Sequence, residues 1–116
     1  MAAPRALAKA AAPVWSLNPQ GMLVRTLPGG SPQAVQVAEN VSFRAVAAIA
    51  NEVWAGGAAG VLYRSRDSGT NWSRVSFPAS ETIVAIQFSN PSEGAIATEA
   101  GRRYLTHDGG SSWELQ

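Results

Sequence analysis

The chain has no cysteine and a single histidine, His107, among its 116 residues. Without thiols there is no disulfide, no thiolate nucleophile and no cysteine-ligated zinc, and one imidazole cannot build a histidine metal site by itself. Charge is also scarce: 15% of residues are Asp, Glu, Lys or Arg, and the formal net charge is +1. A balance so near zero gives no bulk attraction to nucleic acid or to an anionic membrane surface. Long apolar runs are missing, and nothing approaches the ~20 apolar residues of a membrane span. Lysine is nearly missing, Lys9 standing against eight arginines.

What remains is a chain long enough for one domain or a piece of one, with 46% apolar residues, enough for a packed core. Its start, Met1–Pro13, reads MAAPRALAKAAAP. Arg5 and Lys9 interrupt the apolar stretch, so it reads as a linker or frayed helical tail rather than a signal peptide. Such a tail suits a tether to something upstream and leans toward an extracytoplasmic setting.

One motif occurs twice, 41 residues apart: Ser65-Arg66-Asp67-Ser68-Gly69-Thr70-Asn71-Trp72 and Thr106-His107-Asp108-Gly109-Gly110-Ser111-Ser112-Trp113. Both copies read [Ser/Thr]-x-Asp-x-Gly-x-x-Trp. A period of ~40–45 residues is about one four-stranded propeller blade. At this offset Glu52 pairs with Glu93, Tyr63 with Tyr104, and Phe43, Ala45 and Ala47 with Val84, Ile86 and Phe88. Spacings of two are strand periodicity. The predicted strands of the first unit (residues 40–79) are Val41–Ala50, Glu52–Ala55, Val61–Ser65 and Trp72–Phe77. Those of the second (residues 80–116) are Thr82–Ser89, Gly94–Thr98, Arg103–Thr106 and Trp113–Leu115. Breaks are expected at Gly56-Gly57, Asn90-Pro91, Gly101 and Gly109-Gly110.

A degenerate partial unit covers residues 14–39. Gly21–Gly30 aligns with Gly60–Gly69 at an offset of 39, but Pro28 replaces Asp67 and Gln33 replaces Trp72. The strand before the turn survives while the turn chemistry is lost, and upstream only Val14–Leu17 reads as strand. The predicted fold is all-β, a partial propeller of four-stranded antiparallel blades, two complete and one degenerate.

Each motif residue has a folding role. Asp67 can accept from the backbone N–H groups that follow it, as an Asx turn does, and Gly69 can take the positive φ that the corner needs. The Ser65 or Thr106 hydroxyl can satisfy a further backbone group, and Trp72 can cover the turn. Asp108, Gly110 and Trp113 repeat these roles.

With Val53-Trp54-Ala55-Gly56-Gly57, Gly60-Val61-Leu62-Tyr63-Arg64-Ser65 and the two motifs, the chain resembles the bacterial neuraminidase repeat (Asp-box) family of β-propellers. It is most similar to the branch of photosystem II stability and assembly factors. The resemblance implies a non-enzymatic propeller that binds proteins during assembly of membrane complexes. Members have six or seven blades. The resemblance therefore also implies a protein partner, further propeller blades, or copies that associate to complete a ring.

No catalytic, metal or cofactor site is expected. A sialidase would need an arginine cluster, a Tyr nucleophile with its Glu and an acid/base group; Tyr63 and Tyr104 sit at equivalent repeat positions, as packing residues do. Asp67–Asn71 lacks the carboxylate density of a calcium loop. Gly56–Gly60 precedes a strand rather than a helix, so it is a strand connection and no phosphate cradle. Trp15 and Trp54 have no Trp at the matching repeat positions and could be buried or could serve recognition. Partner contacts are expected on loops at one end of the blades and on Trp54, Arg66, Arg102 and Arg103. Two alternatives stay open: a carbohydrate-binding or sialidase-derived module, and a structural extracytoplasmic tail of a regulatory protein.

Overall fold

The computed structural model describes residues 14–37, 41–49 and 51–116, which form three antiparallel sheets. The first sheet contains β1 (Val14–Leu17), β2 (Leu23–Thr26) and β3 (Gln33–Val35). The second contains β4 (Phe43–Ile49), β5 (Glu52–Gly57), β6 (Leu62–Ser65) and β7 (Ser73–Arg74). The third contains β8 (Ile83–Phe88), β9 (Gly94–Thr98), β10 (Arg103–Thr106) and β11 (Glu114–Leu115). Within each sheet, strands adjacent in sequence are adjacent in space, the meander that short turns permit. The fold is therefore all-β, with two four-stranded blades and a partial one. The partial sheet is more complete than its sequence suggests, because β3 pairs with β2 from Leu23↔Val35 to Arg25↔Gln33 despite the lost turn motif. The tail Met1–Pro13 and the boundary between residues 39 and 40 lie outside the described residues.

The sheets stack face to face, and the cores lie between them. Leu23, Phe43 and Ala55 form the first core with Trp15, Tyr63 and Trp72 packed around them. Ala45, Trp54, Leu62, Ile83, Ile86 and Ile96 form the second, with Phe77, Phe88 and Trp113. Sequence pattern follows position in the stack. β5 lies in the middle sheet and is buried from Val53 to Gly57, so it reads as a continuous apolar run, its residues alternating between two cores. β10 has one covered face and alternates, with Tyr104 and Thr106 buried and Arg103 exposed.

Two sequence expectations are corrected here. The first strands are related by an offset of 40, not 41. A β-bulge falls between Phe43 and Ala45 and another between Ile83 and Ala85, so Phe43 corresponds to Ile83 and Val46 to Ile86. Both Phe43 and Ile83 are buried, whereas Val84, expected opposite Phe43, is 38% exposed. A one-residue slip moves every side chain to the other face. The slip arises because the hairpin is one residue longer between equivalent rungs: four residues separate Ala48 from its partner Val53, and five separate Phe88 from Gly94.

Gly56 and Gly57 also do not break a strand. They lie inside β5, and the turn follows as a single 3-10 turn, Ala58–Gly60. A Cβ on Gly56 would stand 2.7 Å from Ile83 Cγ2, and one on Gly57 would strike the Ser42 carbonyl. These glycines permit close approach of strands rather than a change of direction.

Candidate interaction surface

The two motif turns are built alike. In the first, Ser65 Oγ donates to Asp67 Oδ1 at 2.7 Å and accepts from Gly69 N at 2.8 Å. Asp67 Oδ1 accepts from Asn71 N at 2.8 Å, and Oδ2 from Asn71 Nδ2 at 2.8 Å. In the second, Thr106 Oγ1 donates to Asp108 Oδ1 at 2.9 Å and accepts from Gly110 N at 2.8 Å, while Ser112 donates through both N and Oγ to Asp108. Gly69 has φ +92° and Gly110 +93°, the conformation that L side chains resist. The chain reverses within four residues because each carboxylate replaces the backbone partners that the corner lacks. Trp72 Nε1 donates to Gly69 O at 3.1 Å and closes the turn.

These hydrogen bonds set the charge state of the carboxylates. Asp67 is held down to about 2, first by the Asn71 backbone N–H, then by the Asn71 amide and the Ser65 hydroxyl. Asp108 is likewise held to about 2, first by the Ser112 hydroxyl, then by the Ser112 N–H and the Thr106 hydroxyl. Both stay ionised and committed to their turns, and among the described residues no three His, Cys, Asp or Glu side chains gather around them.

The motif also receives the preceding sheet. The Trp15 ring lies where a Cβ on Gly69 would be, and the Trp54 ring stands in the same relation to Gly110. Each Trp faces an arginine across the ladder, Trp15 opposite Arg25 and Trp54 opposite Arg64. The Arg64 guanidinium carbon lies 5.1 Å from the Trp54 ring centroid, and Arg64 Nη1 donates to Gly109 O at 2.8 Å. This corrects the sequence reading that neither has a Trp at its matching position: Trp15 and Trp54 are repeat equivalents at the 39-residue offset, and the joint runs from a Trp–Arg pair on one sheet to the glycine corner of the next. Trp54 is 0% exposed and stacks on Phe88 at 4.8 Å. It has no surface to offer a partner. An indole so buried contributes on the order of 3–5 kcal/mol by the usual cost of truncating it.

The structure does not bring the expected arginines together. Arg66 is exposed beside the first motif turn, at the end of the second sheet where Ser68 N donates to Asn51 O. Arg102 lies at the opposite end of the third sheet, in the turn after β9, and pairs with Glu81. Arg103 is exposed on the face of the third sheet turned away from the second. Arg44, an exposed cation at the bulge of β4, escaped the sequence reading. Its signal was a lone Arg within the apolar run FRAVAAI. Tyr63 and Tyr104 are packing residues, edge-on to Phe43 at 6.0 Å and to Phe77 at 5.0 Å.

Comparison with known proteins agrees with this geometry. The family "Photosynthesis system II assembly factor YCF48" matches residues 15–116. The chain belongs to the YCF48 family. Among its relatives, the photosystem II assembly lipoprotein Ycf48 of Synechococcus sp. (strain CC9902) is 36% identical over 67 residues, which is 54% of this chain and 20% of that protein. The solved structure of YCF48 from Cyanidioschyzon merolae superposes with a TM-score of 0.74 at 25% identity, covering 90% of this chain and 35% of its own. A structure of YCF48 bound to D1 peptide superposes with a TM-score of 0.76 at 19% identity, covering 89% and 35%. The chain thus spans about a fifth of the Ycf48 lipoprotein and about a third of the solved YCF48 chains. The Synechococcus relative is named as an assembly lipoprotein, and one of the solved YCF48 structures holds a D1 peptide.

Proposed function

We propose that this chain is a non-enzymatic protein-binding module that acts in assembly of a membrane complex, as its YCF48 relatives are named to do. The observation that carries the reading is the family match over residues 15–116, nearly the whole of the chain whose blades are described above. The solved YCF48 bound to D1 peptide gives the partner class to try first. The motif residues are occupied in holding turns, and exposed arginines, among them Arg66, Arg102 and Arg103, are groups able to meet carboxylates or carbonyls of a partner.

The test is titration of fluorescently labelled, overlapping D1 peptides with the purified chain, read by anisotropy. Saturable binding to at least one peptide is expected, weakened about tenfold or more when Arg66, Arg102 and Arg103 are all changed to Ala. Absence of saturable binding across the D1 set would withdraw the reading.

A further inference from the structure

One difference between the two motif turns changes the chemistry of the chain. The residue after each motif aspartate takes a positive φ, Ser68 at +59° and Gly109 at +71°. Glycine meets that demand without strain, whereas a serine there stands where L side chains are rare. Relief of strain at position 109 thus creates an Asp–Gly pair, Asp108-Gly109. In such a pair no Cβ hinders attack of the following peptide nitrogen on the aspartate Cγ. The fold restrains both reacting groups. Gly109 N donates to Ser92 O at 2.9 Å, and Gly109 O accepts from Arg64 Nη1 of the second sheet at 2.8 Å. Asp108 Oδ1 accepts from Ser112 N at 3.0 Å and from Thr106 Oγ1 at 2.9 Å, and Oδ2 accepts from Ser112 Oγ at 2.7 Å. These bonds keep the carboxyl ionised, and an ionised oxygen must gain a proton before it can leave as water. Every one of these contacts comes from residues between Arg64 and Ser112, inside the described second and third sheets and their turns.

We propose that Asp108-Gly109 is a site of spontaneous isoaspartate formation that the joint between the second and third sheets holds in check. In the reaction the Gly109 nitrogen attacks Asp108 Cγ, the N–Cγ bond forms, and the nitrogen gives up its proton. A carboxyl oxygen leaves as water, and a cyclic succinimide remains. Water then adds to the Asp108 backbone carbonyl and breaks its bond to that nitrogen, so the backbone runs through the former side chain. Nothing is oxidised or reduced, and water is the only co-reactant. The product has one more methylene in its backbone and a carboxylate on the α-carbon. It no longer presents the oxygens that Ser112 and Thr106 hold, nor Gly109 O to Arg64, so a joint that has opened and reacted does not close again. The site therefore records loosening of this joint, and its α-carboxylate is the group that an isoaspartyl-methylating enzyme takes as substrate. Asp67-Ser68 has the same restraint, with Ser68 N on Asn51 O at 2.9 Å, but there a Cβ stands beside the attacking nitrogen.

The test incubates the full chain at neutral pH, in buffer and in concentrated guanidinium chloride, and quantifies isoaspartate at each position by peptide mapping. Wild type is compared with Gly109→Ser, Arg64→Met and Arg25→Met, and circular dichroism checks that each is folded in buffer. In wild type, isoaspartate is expected at position 108, at least about tenfold faster in denaturant than in buffer, since the folded chain reacts only from its opened state. Gly109→Ser installs the first turn's residue and should lower the signal at 108 to that at 67. Arg64→Met keeps the stem on Trp54 but loses the bond to Gly109 O, and should raise the rate in buffer about threefold or more while leaving the rate in denaturant unchanged. Arg25→Met makes the equivalent change in the first joint, opposite Trp15, and should alter the rate in buffer by less than about twofold. Equal wild-type rates in buffer and denaturant overturn the proposal, as does isoaspartate at 108 no faster than at 67 in denaturant. If Arg64→Met and Arg25→Met accelerate the reaction alike, general unfolding and not this joint controls the site, and the proposal falls. Should Arg64→Met not fold, the wild-type comparison and Gly109→Ser still decide.

Discussion

Asp67 and Asp108 each close a turn through both carboxylate oxygens, so their ionised form belongs to the folded chain. Each has a folded pKa of about 2 against an ordinary value of 3.8. A carboxylate whose pKa is depressed by folding contributes stability that is fully present above the unfolded value and is lost as pH falls through the folded one. Stability of the wild type should therefore decline as pH drops from about 4 toward 2. In Asp67→Asn, an amide nitrogen replaces Oδ2 and cannot accept from Asn71 Nδ2. The variant should have a lower urea midpoint at pH 7 and a shallower loss on acidification, since one of two such groups is gone. Urea titrations at neutral pH and across the acid window measure both. An unchanged acid slope would show that the turn carboxylate does not govern the acid limb.

At the scale of elements, the sheets are unequally held. The second sheet has a core on both faces, while the first has three described strands and an edge at Val14 that is 64% exposed. Opening free energy follows buried contacts, so hydrogen exchange should be slowest in β5 and at least about tenfold faster in β1–β3. Equal protection in the first and second sheets would contradict that ranking. What the sequence reveals follows the range of the interactions. The motif turns were legible because their hydrogen bonds span four residues or fewer. β9 and β10 were legible to the residue because each alternates between tight turns. The register of β8 was not, because a fixed 41-residue offset cannot see the longer connection that follows it. Burial of Trp54 was the favoured reading of its sequence, but its neighbours Gly110 and Phe88 in the next sheet were not legible. The arginines were legible as exposed but not in arrangement: adjacent residues such as Arg102 and Arg103 fall to a turn and to a strand face.

For the whole molecule, the joint has a direction, and that direction limits how copies can associate. A Trp–Arg pair on one sheet enters the glycine corner of the next, at Gly69 and again at Gly110. At the positions of that pair the third sheet has Ala95 and Leu105. The first sheet has Pro28 and Gln33 where the motif has Asp and Trp, and Gly30 N there donates to Leu27 O in an ordinary turn. If the end of one copy met the start of another, neither half of the joint would be present. Head-to-tail rings through this joint are therefore disfavoured, even though heterologous contacts are what an open array invites. Light scattering on the purified chain should give a single species at the 12.1 kDa of one copy. A discrete dimer or trimer would show instead that the two end faces meet by other contacts, with Val14 and Leu115, 64% and 59% exposed, the first residues to examine at that boundary.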